Sequence, residues 1–165
     1  MIALHSSKPP VTLKRFWKAV AAGVITSIAA AAIMAIGMKT GLSPLPKPLG
    51  LAFAEWVLGR ALPLPIGMLF HLAYVTGWSV LFIMLAPARW LRFWPILSFG
   101  LALWLLAIFV ITPLVGWGIA ATAVAGPKGI VATLVAHLLF VFFLWLSCRW
   151  LFRSEASGKG KAPSA

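Results

Sequence analysis

Two histidines, His71 and His137, are the side chains of this chain best suited to chemistry, because each stands inside a long apolar stretch. An ionisable residue within a membrane-spanning helix usually faces the bundle interior and marks a functional site. Neutral imidazoles are good axial ligands of haem iron, and a four-helix bundle can enclose a porphyrin. At helical spacing, Tyr74 and Trp78 share a face with His71, and Phe140 shares one with His137. The first hypothesis is a b-type haem held between the two histidines.

The alternative for the same residues is structural. Each imidazole would be satisfied by a hydrogen bond to Thr133, Tyr74 or a backbone carbonyl, as buried polar groups generally are. In that case the chain binds no cofactor, and this is the outcome that the pattern favours.

Three methionines and one histidine suggest a second kind of site, for Cu(I). Met34 and Met38 lie one turn apart near the end of the first apolar stretch, and Met68 precedes His71 by three residues. Thioether and imidazole are ligands that suit this soft ion. The competing interpretation is packing, because flexible methionine side chains fill gaps in apolar cores.

Enzymatic activity is not expected. The sequence shows no paired carboxylates, no serine or cysteine nucleophile arranged beside a histidine, and no glycine loop for phosphate. Ion-coupled transport is not favoured either, because the apolar stretches contain no Asp, Glu, Lys or Arg to carry an ion or a proton. A small transporter or channel that relies on His71, Thr76, Thr112 and Thr133 is an alternative that would require an oligomer.

Four long apolar stretches must position these residues. Hydrophobic residues make up 62% of the chain, against about 45–50% in soluble domains. Each stretch reaches the roughly 20 residues that cross a bilayer as a helix, and none alternates in polarity as a barrel strand does. The sequence therefore predicts an all-α membrane protein, with four transmembrane helices in one bundle over residues 1–153. The predicted spans are about residues 17–38, 66–87, 94–115 and 129–150, and the third helix ends near Thr112 and Pro113.

Basic residues predict how the bundle is oriented, since Lys and Arg collect in short loops on the cytoplasmic side. With the N-terminus inside, most basic residues lie on the cytoplasmic side, and only Lys39, Lys47, Arg60 and Lys128 lie outside. We therefore expect a multi-pass protein of the bacterial inner (cytoplasmic) membrane with both termini in the cytoplasm. Both histidines then lie in the outer half, at depths of about 8 and 12 Å by the helical rise. Five tryptophans are expected near the two interfaces: Trp17, Trp90, Trp94 and Trp150 at the inner one and Trp117 at the outer one.

The net charge of +12 is concentrated at the membrane borders. We expect the lipid bilayer and its anionic headgroups as the partner of these charges, and no nucleic acid. Residues 154–165 are rich in Ser, Gly, Lys, Ala and Pro and are expected to form a disordered cytoplasmic tail. The first apolar stretch is longer than the core of a signal peptide, so we expect it to be retained as a helix.

The longest connection, residues 39–65, predicts a short helix at the outer end. Between two groups of prolines, residues 49–62 include Phe53 and Trp56, and only Glu55 and Arg60 are charged. Such a segment suits the outer membrane interface, where it would cover the end of the bundle. We expect Glu55 to form an ion pair with Arg60 or Lys47.

Small residues recur every four positions in the first apolar stretch, at Gly23, Ser27, Ala31 and Ala35. This spacing lets a neighbouring helix backbone approach closely. The pattern predicts a tightly packed helix and leaves open whether its partner belongs to this chain or to another subunit.

Several apolar segments resemble the YagU-like group of bacterial inner-membrane proteins. They are "LFHLAYVTGWSVLFIMLAP", "FGLALWLLAIFVITPLVGWG" and "LVAHLLFVFFLWLSCRW", and the similarity spans roughly residues 14–153. In the group's pattern a histidine opens the second span, a proline follows the third and another histidine lies in the fourth, matching His71, Pro113 and His137. The chain departs from the pattern after the first histidine, where it has Ala73, Tyr74 and Val75. The resemblance implies a four-helix membrane fold and an inner-membrane location.

Together these features favour a non-catalytic role as an accessory or structural subunit of a larger membrane complex, in a hetero-oligomer. Nine Trp and 11 Phe with little polar surface suit contact between helices and with lipid. The alternatives are a haem-bearing membrane anchor for electron transfer, using His71 and His137, and a small transporter or channel.

Overall fold

The computed structural model describes residues 12–153, and these residues form helices and no strand. Four helices are long and apolar enough to cross a membrane, and a fifth, short and apolar, lies between the first two. The predicted all-α, four-helix membrane fold is confirmed. The predicted tail, residues 154–165, lies outside the described residues. The helices are α1 (Leu13–Lys39), α2 (Leu49–Leu58), α3 (Leu64–Leu85), α4 (Phe93–Leu114) and α5 (Lys128–Leu151).

Local chemistry explains where the first and third helices begin. Thr12 Oγ1 accepts a hydrogen bond from the Arg15 N–H at 3.2 Å. This bond satisfies one of the amide groups that have no partner in a first turn, so α1 begins at Leu13, earlier than predicted. Pro65 lies in the first turn of α3, where its missing N–H removes no helical hydrogen bond. The helix therefore starts at Leu64, before the proline.

Three of the four helix interfaces are close, and the fourth is wide. α1 packs along α3 and α5, and α5 packs along α4. α3 and α4 meet mainly through aromatic rings, because Phe99 stacks on Phe82 at 4.6 Å and meets Trp78 edge-on at 6.2 Å between ring centroids. The Arg15 guanidinium lies 6.0 Å from the centre of the Phe152 ring, so α1 begins where α5 ends. We call this end of the bundle the termini end, and the opposite end the α2 end.

The small residues of α1 explain its close approach to α3. Gly23 is buried, and a Cβ at this position would lie 2.7 Å from Thr76 Cα. Ser27 is also buried, whereas Ala31 is half-buried and Ala35 is exposed. The first half of the small-residue pattern therefore packs on α3 of the same chain.

A buried arginine closes the termini end. Arg15 is 4% exposed, and its Nη2 atom donates hydrogen bonds to the carbonyl oxygens of Ile83 and Ala86 at 2.8 and 2.7 Å. The last carbonyls of a helix lack partners within it and carry the negative end of the helix dipole. Arg15 thus joins the start of α1 to the end of α3 and satisfies carbonyls that would otherwise be buried without a donor.

Tryptophans surround the same end. Trp17, Trp90, Trp94 and Trp150 are between 49% and 73% exposed, as expected for rings at a membrane interface. Trp117 differs from these four rings, because it is buried against Ala52 and Ala121.

The short helix α2 lies against the first two turns of α3. A Cβ at Gly67 would lie 2.7 Å from Leu51 Cα, and a Cβ at Gly50 would lie 3.1 Å from the His71 Cβ. Both glycines allow a close crossing of the two backbones. α2 therefore reaches the level of His71 and forms part of the interior at this end of the bundle.

Glu55 holds the loop that follows α2. Its carboxylate accepts hydrogen bonds from Lys47 Nζ and, at 3.1 Å, from the Leu62 N–H. The bond from Lys47 is the main reason that the pKa of Glu55 lies below its usual value, and the bond from Leu62 adds to it. The predicted ion pair of Glu55 with Lys47 is confirmed.

Candidate functional site

A partly open cavity at the α2 end brings the two histidines to one site. Its volume is about 120 Å³, and all four long helices and α2 contribute to its wall. His71 comes from α3, His137 from α5 and Met34 from α1, with the rings of Tyr74 and Trp78 beside them. Among the described residues that line it, none carries a formal charge. An apolar cavity with a few polar atoms is typical of a small-ligand site.

A contact with the backbone shows which ring nitrogen of His137 carries the proton. Its Nδ1 lies 2.8 Å from the carbonyl oxygen of Thr133, one turn earlier in α5. Since a carbonyl oxygen only accepts hydrogen bonds, Nδ1 carries the proton and the neutral ring has a bare lone pair on Nε2. The same contact fixes the ring orientation. His137 is thus prepared to accept a hydrogen bond or to bind a metal through Nε2.

His71 has a buried nitrogen without a partner. Its Nε2 is enclosed and makes no hydrogen bond, although the ring lies beside the backbone of Ser27 in α1. Buried side-chain nitrogens almost always have a partner, so this atom marks a place where a ligand, an ion or a water molecule is required. The predicted alternative was a hydrogen bond from each imidazole to a group within the protein. His137 makes one with the Thr133 carbonyl, and the His71 ring makes one with the backbone of Ser27, while Nε2 of His71 has no partner.

Two threonine hydroxyls near this site also lack partners. Thr26 Oγ1 in α1 and Thr76 Oγ1 in α3 are buried without a hydrogen bond, and Thr76 lies at the contact of α3 with Gly23 of α1. Ser79 and Thr112 behave differently, because each donates to the carbonyl oxygen four residues earlier, at 2.7 and 3.0 Å. That internal bond is the usual solution for a hydroxyl in an apolar helix. The polar surface between α1 and α3 is therefore incompletely satisfied next to His71.

A π turn in α4 forms the opposite wall. It covers residues Ala107–Ile111, and the Thr112 N–H donates to the Ala107 carbonyl, five residues earlier. Pro113 follows directly, and proline removes a helical hydrogen bond and crowds the carbonyl four residues before it. Widening the preceding turn accommodates that conflict. Ala107 and Ile111 line the cavity, and π turns are frequent at functional sites.

The methionines predicted for Cu(I) are only partly brought together. Met34 lines the same cavity as His71. Met38 lies in a neighbouring groove of about 440 Å³ between α1 and α5, which Met34 also touches. Met68 is 54% exposed and is not among the residues that line the cavity. The structure therefore groups Met34 and His71 with His137, and not with Met38 and Met68.

The residues proposed for a transport path also differ from one another in their hydrogen-bond contacts. Thr112 is bonded to Ile108 and lies away from the cavity wall. Thr133 Oγ1 lies 2.9 Å from the Gly129 carbonyl oxygen and accepts a hydrogen bond from Trp104 Nε1 at 3.2 Å, which ties α5 to α4. Of the predicted set, only His71 and Thr76 have buried polar atoms without partners.

Cavity volume bears on the size of the ligand. About 120 Å³ corresponds to roughly four water molecules, and sites for drug-sized molecules occupy about 300–1,000 Å³. The aromatic slot predicted for haem exists in part, because Tyr74, Trp78 and Phe140 line the cavity. A porphyrin would require α3 and α5 to move apart. The cavity as it stands accommodates a single ion or a small molecule.

Sequence reasoning missed Arg15 and the π turn as parts of the architecture. Arg15 was counted among the basic residues that set orientation, because nothing in the local sequence distinguishes a buried arginine from an interfacial one. The signal for the π turn was present, since Pro113 follows an uninterrupted apolar run.

Comparison of the chain with protein-family models, with curated proteins and with solved structures gives no match. The function is therefore inferred from the geometry of the chain itself.

Proposed function

We propose that this chain is a non-catalytic membrane protein that serves as an accessory or structural subunit of a larger complex. The exposed face of α4 carries the proposal. Trp94, Leu105 and Phe109 are 73%, 47% and 58% exposed, and α4 packs closely only on α5 among the long helices. Aromatic residues are enriched at protein interfaces, so an edge helix with this face suits contact with a second subunit.

The location that we propose is the bacterial inner membrane, with both termini in the cytoplasm. The excess of basic residues at the termini end supports this orientation, because such residues favour the cytoplasmic side. The contact between Arg15 and Phe152 is consistent with it, since it requires both described ends to lie at the same end of the bundle. The resemblance to the YagU-like group supports the same location.

Site-specific photocrosslinking tests the subunit proposal. A photoreactive residue placed at Phe109 should yield an adduct with another polypeptide in native membranes. The matched control is Leu69, which is 59% exposed on α3 and should yield no such adduct. After mild extraction, native electrophoresis should show the chain migrating with larger partners. Lipid adducts alone, together with migration as an isolated monomer, would contradict the proposal.

A haem-bearing anchor for electron transfer is the second candidate. The specific observation in its favour is that His71 and His137 line one cavity. Purified protein would then show a Soret band that disappears in the His71→Ala and His137→Ala variants. A colourless protein from haem-replete cells would exclude this function.

A further inference from the structure

We propose that the cavity is a binding site for a soft monovalent metal ion, Cu(I), held by His71, His137 and Met34. The three side chains come from α3, α5 and α1, and all of them line the cavity of about 120 Å³. Imidazole and thioether are donors that suit this ion. The site differs from a methionine cluster at the helix ends, because His137 replaces Met38 and Met68 as a donor.

His137 supports the proposal through its orientation. Histidines that bind metals usually donate their second ring N–H to a carbonyl or carboxylate, which fixes the ring and leaves the other nitrogen for the ion. The Nδ1 atom of His137 makes this contact with the Thr133 carbonyl oxygen at 2.8 Å. The Nε2 lone pair therefore exists before any ligand binds.

His71 supplies the second, independent observation. Its Nε2 is buried and has no hydrogen-bond partner. The His71 ring lines the cavity, and a metal ion bound beside it would give the unpartnered imidazole nitrogen a ligand.

The residues that line the cavity favour an ion of low charge. The described lining residues include no carboxylate and no thiol, so nothing there neutralises a bound cation. Burying an uncompensated charge is costly, and the cost rises with the square of the charge. A monovalent soft ion therefore fits the site better than Zn²⁺ or Cu²⁺.

Anaerobic competition with a chromophoric Cu(I) chelator tests the proposal on the full-length protein in detergent. We expect one Cu(I) per chain. Met34→Leu, His71→Phe and His137→Phe should each weaken binding by about tenfold or more, since even residues that only support metal ligands matter by about 10–100-fold. Met38→Leu and Met68→Leu are matched controls that should leave the affinity unchanged. Unchanged binding in Met34→Leu, or no competition by the wild-type chain, would overturn the proposal.

X-ray absorption at the copper edge gives a readout that does not depend on affinity. The wild-type complex should show nitrogen and sulfur neighbours, and Met34→Leu, which keeps the side-chain volume nearly constant, should lose the sulfur. A spectrum with only nitrogen neighbours in the wild-type chain would contradict the assignment. Helicity and elution volume should match the wild type in every variant that is scored. A Soret band in the purified protein that depends on both histidines would replace the metal ion with haem.

Discussion

The two ends of this helix bundle treat buried polar groups in opposite ways. At the termini end, the charged Arg15 is buried, and its guanidinium donates to the free carbonyls of α3. At the α2 end, His71 is half-buried and lines the cavity, and its buried Nε2 has no hydrogen-bond partner. The charged Arg15, which is the more costly of the two groups to bury, therefore has hydrogen-bond partners, whereas Nε2 of His71 has none. This contrast is consistent with a termini end that provides stability and with the ligand site that we propose at the α2 end.

Packing follows the same division. Ile83, Leu144 and Phe152 are almost completely buried in the main core near the termini end. The cavity lies at the α2 end, where residues of α2, α3 and the π turn of α4 line it. A tightly packed half that holds the helices in place allows the other half to retain an empty space without loss of the fold.

Replacing Arg15 should have the largest effect on stability. Arg15→Leu removes the charge-assisted hydrogen bonds to the carbonyls of Ile83 and Ala86, so the free energy of unfolding should fall by about 3 kcal/mol or more. The measurement is unfolding in a denaturing detergent followed by circular dichroism. Lys14→Leu, at the exposed neighbouring position, is the control and should change stability little. Equal losses in the two variants would mean that Arg15 does not hold the termini end together.

Adding one methyl group to the α1–α3 interface should have the next largest effect. In Gly23→Ala the new Cβ would lie 2.7 Å from Thr76 Cα, so the helices must separate at a cost of about 1–3 kcal/mol. Gly77→Ala is the control, because no atom lies within 4 Å of its Cβ position. There the helix should gain up to about 1 kcal/mol. Thermal unfolding of both variants measures the difference, and a stable Gly23→Ala would refute the close contact.

Replacing alanine with leucine should change stability in opposite directions in the two halves of the bundle. Ala136→Leu fills part of the cavity and should stabilise the protein by about 0.5–2 kcal/mol. Ala22→Leu overfills the closely packed half, where Ala22 is fully buried, and should cost about 1–3 kcal/mol. Unfolding temperatures of the two variants provide the comparison. Similar losses at both positions would show that the α2 end is as tightly packed as the termini end.

The smallest expected effect concerns pH and the α2 loop. The pKa of Glu55 is lowered in the folded state, so its ion pair stabilises the protein above the unfolded value of about 4.3 and is lost as the pH falls through the lower folded value. Wild type should therefore be more stable than Glu55→Gln at pH 7, and the difference should vanish in acid. Arg60→Gln should show no such convergence with the wild type. Unfolding temperatures from pH 7 to 3 measure the effect, and a constant difference for Glu55→Gln would contradict it.

Several elements were predictable because they depend on local sequence. The four spans follow from the length and polarity of the apolar stretches, and the short helix α2 follows from the apolar segment between two groups of prolines. The pairing of Glu55 with Lys47 was also within reach, since their separation in the chain is small. The similar depth of the two histidines could be estimated from the rise of a helix, and the cavity that they share is consistent with it.

Other elements depended on how distant residues meet. The sequence did not distinguish Met34, which lines the cavity, from Met68, which is exposed, because both occupy apolar helices beside polar neighbours. It also did not show that Trp117 is buried within the protein, where it packs with Ala52 of α2. It also left the partner of the small residues in α1 open, and the structure shows α3 of the same chain in contact with Gly23.

By itself, the sequence determined that the described chain is a bundle of four membrane-length helices, because the free energy of transfer into lipid is nearly a sum over residues along each stretch. Only the tertiary structure decided that His71, His137 and Met34 share one cavity while Arg15 donates hydrogen bonds to the end of α3 at the other end of the bundle. These outcomes depend on the rotation and crossing of each helix about its neighbours. Both are set by steric contacts between residues far apart in the chain, such as Gly23 with Thr76 and Gly67 with Leu51.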